Sequence, residues 1–212
     1  MDRLKDLVTI LYKPRETMRR ILDRPDRWSV SIVFLAFVAA SVNDIEGQRA
    51  NEVLQLGTVP LLALSVVGIV AGALLWVIAL FLLSWIATGI GRVMQGTGSA
   101  RDVRAALGWA MVPIIWSAFY RLPLLVLARR AHLGPNINAK KAILEFVSHG
   151  GLSLVVLFLS LQLIFALWCV GLASFTVAEA QKFSPEKGFV NVVMAIALPI
   201  AIIIAAAVIS WR

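Results

Sequence analysis

A series of five apolar runs is the feature that most constrains how this chain can fold. Each run is close to or longer than the roughly 20 residues that cross a hydrocarbon core as an α-helix. The chain is 60% hydrophobic and only 15% charged, whereas soluble domains are about 25% charged. The pattern predicts an all-α fold, a polytopic transmembrane helical bundle. Its five spans are expected at residues 28–45, 60–90, 105–128, 152–177 and 189–211.

The distribution of basic residues predicts the topology. Eight of the 20 lysines and arginines precede the first span, so we divide the chain into a cytoplasmic segment, 1–27, and a five-span transmembrane domain, 28–212. With the N-terminus inside, thirteen basic residues lie in the inner segments and six in the outer ones, as the positive-inside rule requires. The basic cluster at 129–141 suggests a re-entrant third span as the alternative.

The cytoplasmic segment is expected to form two amphipathic helices. Asp6 falls on the polar face of the first helix, and Pro14 suits the first turn of the second, where its missing N–H costs nothing. The two helices either lie on the membrane surface or pack against the bundle, and the pattern leaves both open. Four residues at helical spacing predict the apolar face of the first helix: Leu4, Leu7, Val8 and Leu11. The basic residues expected at the membrane surface are Arg15, Arg19, Arg20, Arg24 and Arg27.

The third span is unusual because it contains a formal charge, Arg121, and two prolines, Pro113 and Pro123. A charge within a span is costly and therefore suggests a functional site. Three interpretations stay open: Arg121 snorkels to a lipid phosphate, it pairs with an internal polar residue such as Gln162 or Asn191, or it lines a substrate or ion pathway. The prolines predict kinks in the helix.

Glycines elsewhere indicate packing and turns. Gly68 and Gly72 form a GxxxG pattern, which we interpret as a helix-packing contact. The glycine-rich lead at 89–98 follows no strand and lacks the GxxxxGK[ST] pattern, which argues against a nucleotide site. Ser99, with Asp102 three residues later, predicts a capping box at the start of the next helix.

The remaining residues favour neither catalysis nor metal binding. His132, His149 and Glu145 share a connector, but the spacing matches no zinc motif, and no nucleophile–base pattern is present. We therefore predict no enzyme activity, no cofactor and no metal. The net charge of +8, in a chain this apolar, favours anionic lipid headgroups over nucleic acid as a partner.

Two stretches carry a resemblance to a known family. The segment Tyr12–Leu22, YKPRETMRRIL, and the lead at 96–113, GTGSARDVRAALGWAMVP, resemble the YIP domain of the Ypt/Rab-interacting-protein family. Ile10–Pro14, ILYKP, stands where eukaryotic members carry Asp-Leu-Tyr-Gly-Pro, so the chain is more similar to the bacterial members. The resemblance implies a multi-pass protein of the cell inner (cytoplasmic) membrane with its N-terminus in the cytoplasm and no catalytic residues.

These observations lead to three hypotheses about function. The first is a non-enzymatic membrane protein that organises the bilayer or scaffolds membrane partners through its basic N-terminal helices. The second is a small transporter or channel that uses Arg121 and the kinked third span with Pro113 and Pro123. The third is an accessory subunit of a larger membrane protein complex.

Overall fold

In the computed structural model, residues 2–26, 29–41, 58–120 and 152–210 are described. Within these ranges every regular element is helical, so the prediction of an all-α fold is confirmed. The helices, in chain order, are α1 (Asp2–Tyr12), α2 (Pro14–Leu22), α3 (Ser29–Ser41), α4 (Thr58–Val93), α5 (Ala100–Trp109), α6 (112–120), α7 (Leu152–Gln181) and α8 (Pro185–Ser210).

Several helices are long and apolar enough to cross a membrane. Within the described residues there are four such stretches, namely Val67–Val93, Ala100–Tyr120, Val156–Gln181 and Pro185–Ser210. The shorter apolar helix α3 has 13 residues, a length of roughly 20 Å against a hydrocarbon core of about 30 Å. Its predicted span, 28–45, continues beyond the described residues, and the five-span count stays a prediction.

The buried core lies at one end of the bundle, which we call the base. The base consists of α1, α2 and α5 together with the adjoining ends of α3, α4, α7 and α8. Met18 and Ile21 of α2 are buried there with Val103 of α5 and Val177 of α7. Burying an apolar side chain of this size stabilises a fold by up to about 1.5–3 kcal/mol, so α2 belongs to the same core as the long helices.

Away from the base, the long helices expose apolar side chains to their surroundings. All residues of 201–210 in α8 are exposed, and α7 exposes Leu159 and Leu163 while α4 exposes Leu74 and Leu75. A helix that is apolar on every face is typical of a membrane span, because lipid covers the apolar side chains that do not pack against protein.

The third predicted span is broken rather than simply kinked. Helix α5 ends at Trp109, residues 110 and 111 form a turn, and α6 begins at residue 112. Pro113 therefore lies in the first turn of α6, where its missing N–H leaves no hydrogen bond unmade. The amide of Ala110 donates to Ala106 O at 3.0 Å and closes α5. Pro123 lies outside the described residues.

The glycine-rich lead docks onto the end of α7. The predicted capping box is confirmed, because Ser99 Oγ accepts from Asp102 N at 3.2 Å and Asp102 Oδ2 accepts from Ser99 N at 3.2 Å. Ahead of it, Gly98 N donates to Gln181 Oε1 at 3.2 Å. A Cβ on Gly98 would collide with the backbone carbonyl of Ala180. The absence of a side chain at Gly98 is thus what allows the α4–α5 loop and the end of α7 to meet.

Candidate functional site

Two arginines of α2 hold one carboxylate at the end of α7. Arg15 Nε donates to Glu179 Oε2 at 3.1 Å, and Arg19 Nε donates to Glu179 Oε1 at 2.8 Å. Arg15 and Arg19 are four residues apart and so share a face of α2. The Glu179 side chain is 12% exposed, whereas those of Arg15 and Arg19 are 45% and 70% exposed. The contact joins the N-terminal helices to a membrane span.

The position of Glu179 explains why it needs two cations. It lies in the last turn of α7, where the negative end of the helix dipole disfavours a carboxylate. The side-chain hydrogen bond to Glu179 raises the pKa of Arg19 above its ordinary value. The hydrogen bond thus favours the charged form of Arg19, which arginine already has at physiological pH.

A second acid, Asp6, is buried between α1 and α2. Arg24 Nη1 donates to Asp6 Oδ2 at 2.6 Å, and Arg20 Nη1 lies 3.6 Å from Asp6 Oδ1. The Asp6 side chain is fully buried, which its predicted place on the polar face of α1 did not indicate. The reason is the tight hairpin: Lys13 alone separates the two helices, which folds α2 back over the Asp6 side of α1.

Because of the same hairpin, only half of the predicted apolar face of α1 packs against the core. Leu7 and Leu11 pack against the core, and the backbone carbonyl of Leu7 accepts a hydrogen bond from Trp116 Nε1 at 3.4 Å. Leu4 and Val8 instead stay exposed, at 71% and 46%. With Tyr12, exposed at 64%, they form a row at four-residue spacing, which we call the α1 stripe (Leu4, Val8 and Tyr12).

The structure therefore gathers most of the predicted basic residues at the base. Arg15 and Arg19 meet one acid, and Arg20 and Arg24 meet another. Helix α2 packs against the bundle, and the exposed arginines form the outer surface of the hairpin. Arg27 and Arg121 lie outside the described residues, as do Glu145 and both histidines, His132 and His149.

The two glycines of the GxxxG pattern have different environments. A Cβ on Gly72 would overlap the ring of Phe37, so Gly72 allows α3 and α4 to approach closely. That ring packs edge-on against Trp76, with a centroid distance of 5.3 Å. No described residue lies within 4 Å of a Cβ on Gly68. Packing of α3 on α4 thus uses only one member of the pair.

Asn191, an expected partner for Arg121, has a buried contact of its own. Its Nδ2 donates to Ala87 O of α4 at 2.9 Å, while no described residue bonds its Oδ1. Among the described residues no group of His, Cys, Asp or Glu side chains has the geometry to hold a metal ion.

Sequence reasoning missed Glu179, Asp6 and Gln181 as organising residues. Glu179 and its arginines are separated by at least 160 positions in the chain, and no local spacing reports such a pairing. The one available signal was the placement of Glu179 at the charged end of an apolar run. An acid there needs a cation, and α2 is rich in arginine.

These features define the class of the protein. The long apolar helices α4, α7 and α8 extend from a buried base that carries charged residues, which is the organisation of a multi-pass α-helical membrane protein. The family model of the Yip1 domain matches residues 8–208, nearly the whole chain. The chain belongs to the Yip1 family, and the resemblance noted in the sequence is confirmed. No curated protein and no solved structure matches the chain.

Proposed function

We propose that this chain is a non-enzymatic protein of the inner membrane that organises the bilayer and scaffolds membrane partners through its N-terminal hairpin, α1–α2. The observation that carries the proposal is the Glu179 carboxylate, which binds Arg15 and Arg19 together. A hairpin held in this way keeps one orientation relative to the membrane spans. It can therefore present a surface of constant shape.

The outer surface of the hairpin suits a membrane interface or a partner that lies there. It combines the exposed arginines of α2 with the α1 stripe, Leu4, Val8 and Tyr12. Basic side chains attract anionic headgroups, and apolar side chains beside them enter the headgroup region. The proposal includes the cytoplasmic location of residues 1–27 and five spans within 28–212, which the distribution of basic residues supports.

A photo-cross-linking experiment tests the role of the hairpin. A photoreactive amino acid replaces Val8 in the full chain, and a matched control places it at Arg92, an exposed basic position at the end of α4. In native membranes, we expect Val8 to give discrete adducts with lipid or a membrane protein, and Arg92 to give fewer. Replacing Arg15 and Arg19 by glutamine should weaken the Val8 adducts, because the hairpin loses its attachment to Glu179. Equal labelling from both positions contradicts the proposal.

The other two predicted functions can be tested with the same purified protein. A transporter built on Arg121 and the prolines of the third span requires solute flux in reconstituted vesicles, and the proposal predicts none above protein-free vesicles. An accessory subunit requires a stable complex, which extraction in mild detergent would recover in fixed stoichiometry. Solute flux in wild type that is lost in Arg121→Ala would contradict the scaffold proposal and support a transporter.

A further inference from the structure

A polar cavity of about 350 Å³ lies between the first turn of α3 and the start of α5. Its polar lining consists of two arginines, two serines and one acid, and an aromatic ring forms part of its wall. These residues are Arg101, Arg104, Ser29, Ser31, Asp26 and Phe81. It lies apart from the Glu179 contact, and neither the α1 stripe nor Glu179 lines it.

Helix spacing and one glycine build the cavity. Arg101, Arg104 and Gly108 lie three and four residues apart and therefore share one face of α5. A Cβ on Gly108 would lie 2.8 Å from both the Cβ and the carbonyl oxygen of Ser29. The first turn of α3 thus rests directly on α5, one turn away from Arg104.

The two arginines have donors to spare. The Arg104 guanidinium lies over the Phe81 ring, 3.7 Å from its centroid, and its buried Nε has no hydrogen-bond partner among the described residues. Arg101 Nη2 donates to Pro25 O at 2.7 Å, and no contact between described residues uses the rest of its five N–H donors. Because Nε is enclosed, a ligand in the cavity would meet the remaining N–H groups of the Arg104 guanidinium.

The backbone reinforces the preference for an anion. Ser29 and Ser31 lie in the first turn of α3, where backbone N–H groups lack partners within the helix and the dipole is positive. Phosphate groups bind readily at such helix starts. Among the described residues of the lining, Asp26 is the one acid, against Arg101 and Arg104.

The surroundings of the cavity distinguish a lipid phosphate from a free one. Val30 also lines the cavity and is 42% exposed. Phe34 follows it one turn further along α3 and is exposed too, as is Leu35 beside it. An exposed apolar surface therefore leads from the cavity along α3. Acyl chains need such a surface, whereas inorganic phosphate does not.

We propose that this cavity binds the phosphate of a glycerophospholipid, with the guanidinium groups of Arg101 and Arg104 on the phosphate oxygens and an acyl chain along Val30 and Phe34. The planar fork of arginine matches the geometry of phosphate oxygens. This inference deepens the proposed function, on which it rests for the membrane setting, by assigning a lipid class and its site. It involves none of the hairpin residues, so the two proposals can fail separately.

Native mass spectrometry of the full chain tests the site. The protein is extracted from vesicles of phosphatidylcholine and phosphatidylglycerol, and the lipid that survives delipidation is counted. We expect wild-type protein to retain phosphatidylglycerol, and the double variant Arg101→Gln, Arg104→Gln to retain at least about tenfold less, since charge-assisted hydrogen bonds are lost. Arg92→Gln, a basic residue outside the cavity, is the matched control and should retain as much as wild type. Equal retention in the double variant and wild type overturns the proposal.

Further variants keep the test valid if the double variant unfolds. Arg101 is exposed, so Arg101→Gln alone should leave the helical circular dichroism unchanged and still reduce retention. Val8 cross-linking should not change in the cavity variants.

A final experiment distinguishes a lipid phosphate from inorganic phosphate as the ligand. Inorganic phosphate is added to the delipidated protein, and its effect on thermal unfolding is compared with that of phosphatidylglycerol. The proposal predicts stabilisation by the lipid alone. Equal stabilisation by inorganic phosphate would overturn the assignment to a lipid.

Discussion

Arg19 donates a 2.8 Å hydrogen bond from Nε to Glu179 Oε1, and this contact joins residues 160 positions apart in the chain. One partner belongs to the short basic helix α2, and the other to the last turn of a helix long enough to span the membrane. Arg15 binds the second oxygen of the same carboxylate. The N-terminal hairpin is therefore part of the bundle rather than an appendage to it.

Replacing Glu179 by glutamine is expected to destabilise the base modestly. The arginines are largely exposed, and exposed ion pairs contribute about 0.2–1 kcal/mol each, so the free energy of unfolding should fall by about 1 kcal/mol. Thermal unfolding of the purified protein in detergent measures this. Glu16→Gln is the control, because Glu16 is 65% exposed and its salt bridge is to Lys13, at 3.5 Å, rather than to another helix. A larger loss in the control than in Glu179→Gln would contradict the assignment.

Replacing Asp6 by asparagine is expected to cost more. Asp6 is fully buried and accepts the 2.6 Å hydrogen bond from Arg24, and hydrogen bonds to charged groups contribute about 1.5–3 kcal/mol. The midpoint of thermal unfolding should therefore fall further than in Glu179→Gln. Lys5→Gln, on the exposed side of α1, should have little effect. If Asp6→Asn matched wild-type stability, the buried ion pair would not hold the hairpin together.

Gly98 and Gly89 form a matched pair for testing the docking of the glycine-rich lead. A Cβ on Gly98 meets the backbone of Ala180, which cannot move aside easily, whereas no atom of the described residues lies within 4 Å of a Cβ on Gly89. We expect Gly98→Ala to destabilise by about 1–3 kcal/mol. Gly89→Ala should be neutral or stabilise by up to about 1 kcal/mol, since alanine is the better helix former. Chemical unfolding of both variants measures the difference. Equal effects would argue against the close approach of Gly98 to the backbone of Ala180.

Gly72 and Gly68 test the interpretation of the GxxxG pattern. Gly72→Ala should displace the Phe37 ring from its contact with Trp76 and weaken the packing of α3 on α4, whereas Gly68→Ala has room for its methyl group. The loss for Gly72→Ala is expected to be about 1 kcal/mol, at the lower end for overpacking, because Phe37 can rotate. Tryptophan fluorescence reports the change at Trp76. A larger effect at Gly68 would indicate that this pattern packs against something other than α3.

Much of the fold follows from local sequence signals. Apolar runs predicted the long helices, Pro14 predicted the start of α2, and the Ser99–Asp102 spacing predicted the capping box. Each of these depends on residues within one or two helical turns. Even the break of the third span has a local cause in Pro113, although the sequence predicted only a kink.

The arrangement of the site was less accessible, because it depends on contacts between distant segments. The pattern of a single helix placed Asp6 on a polar face, and only the return of α2 over α1 buries that side chain. The division of the apolar face between Leu7, which packs inward, and Leu4, which does not, has the same origin. Arginines were expected to meet lipid headgroups, and the acids that hold them lie on other helices.

Amide hydrogen exchange of α2 in the full chain, reconstituted in vesicles, tests the attachment of the hairpin most directly. Three proteins are compared: wild type, the charge-reversed variant Arg15→Glu, Arg19→Glu, and the same variant with Glu179→Arg added. We expect slow exchange over Pro14–Leu22 in wild type, fast exchange in the charge-reversed variant, and recovered protection when Glu179→Arg restores opposite charges. Unchanged exchange in the charge-reversed variant, or fast exchange that Glu179→Arg fails to slow, would contradict it.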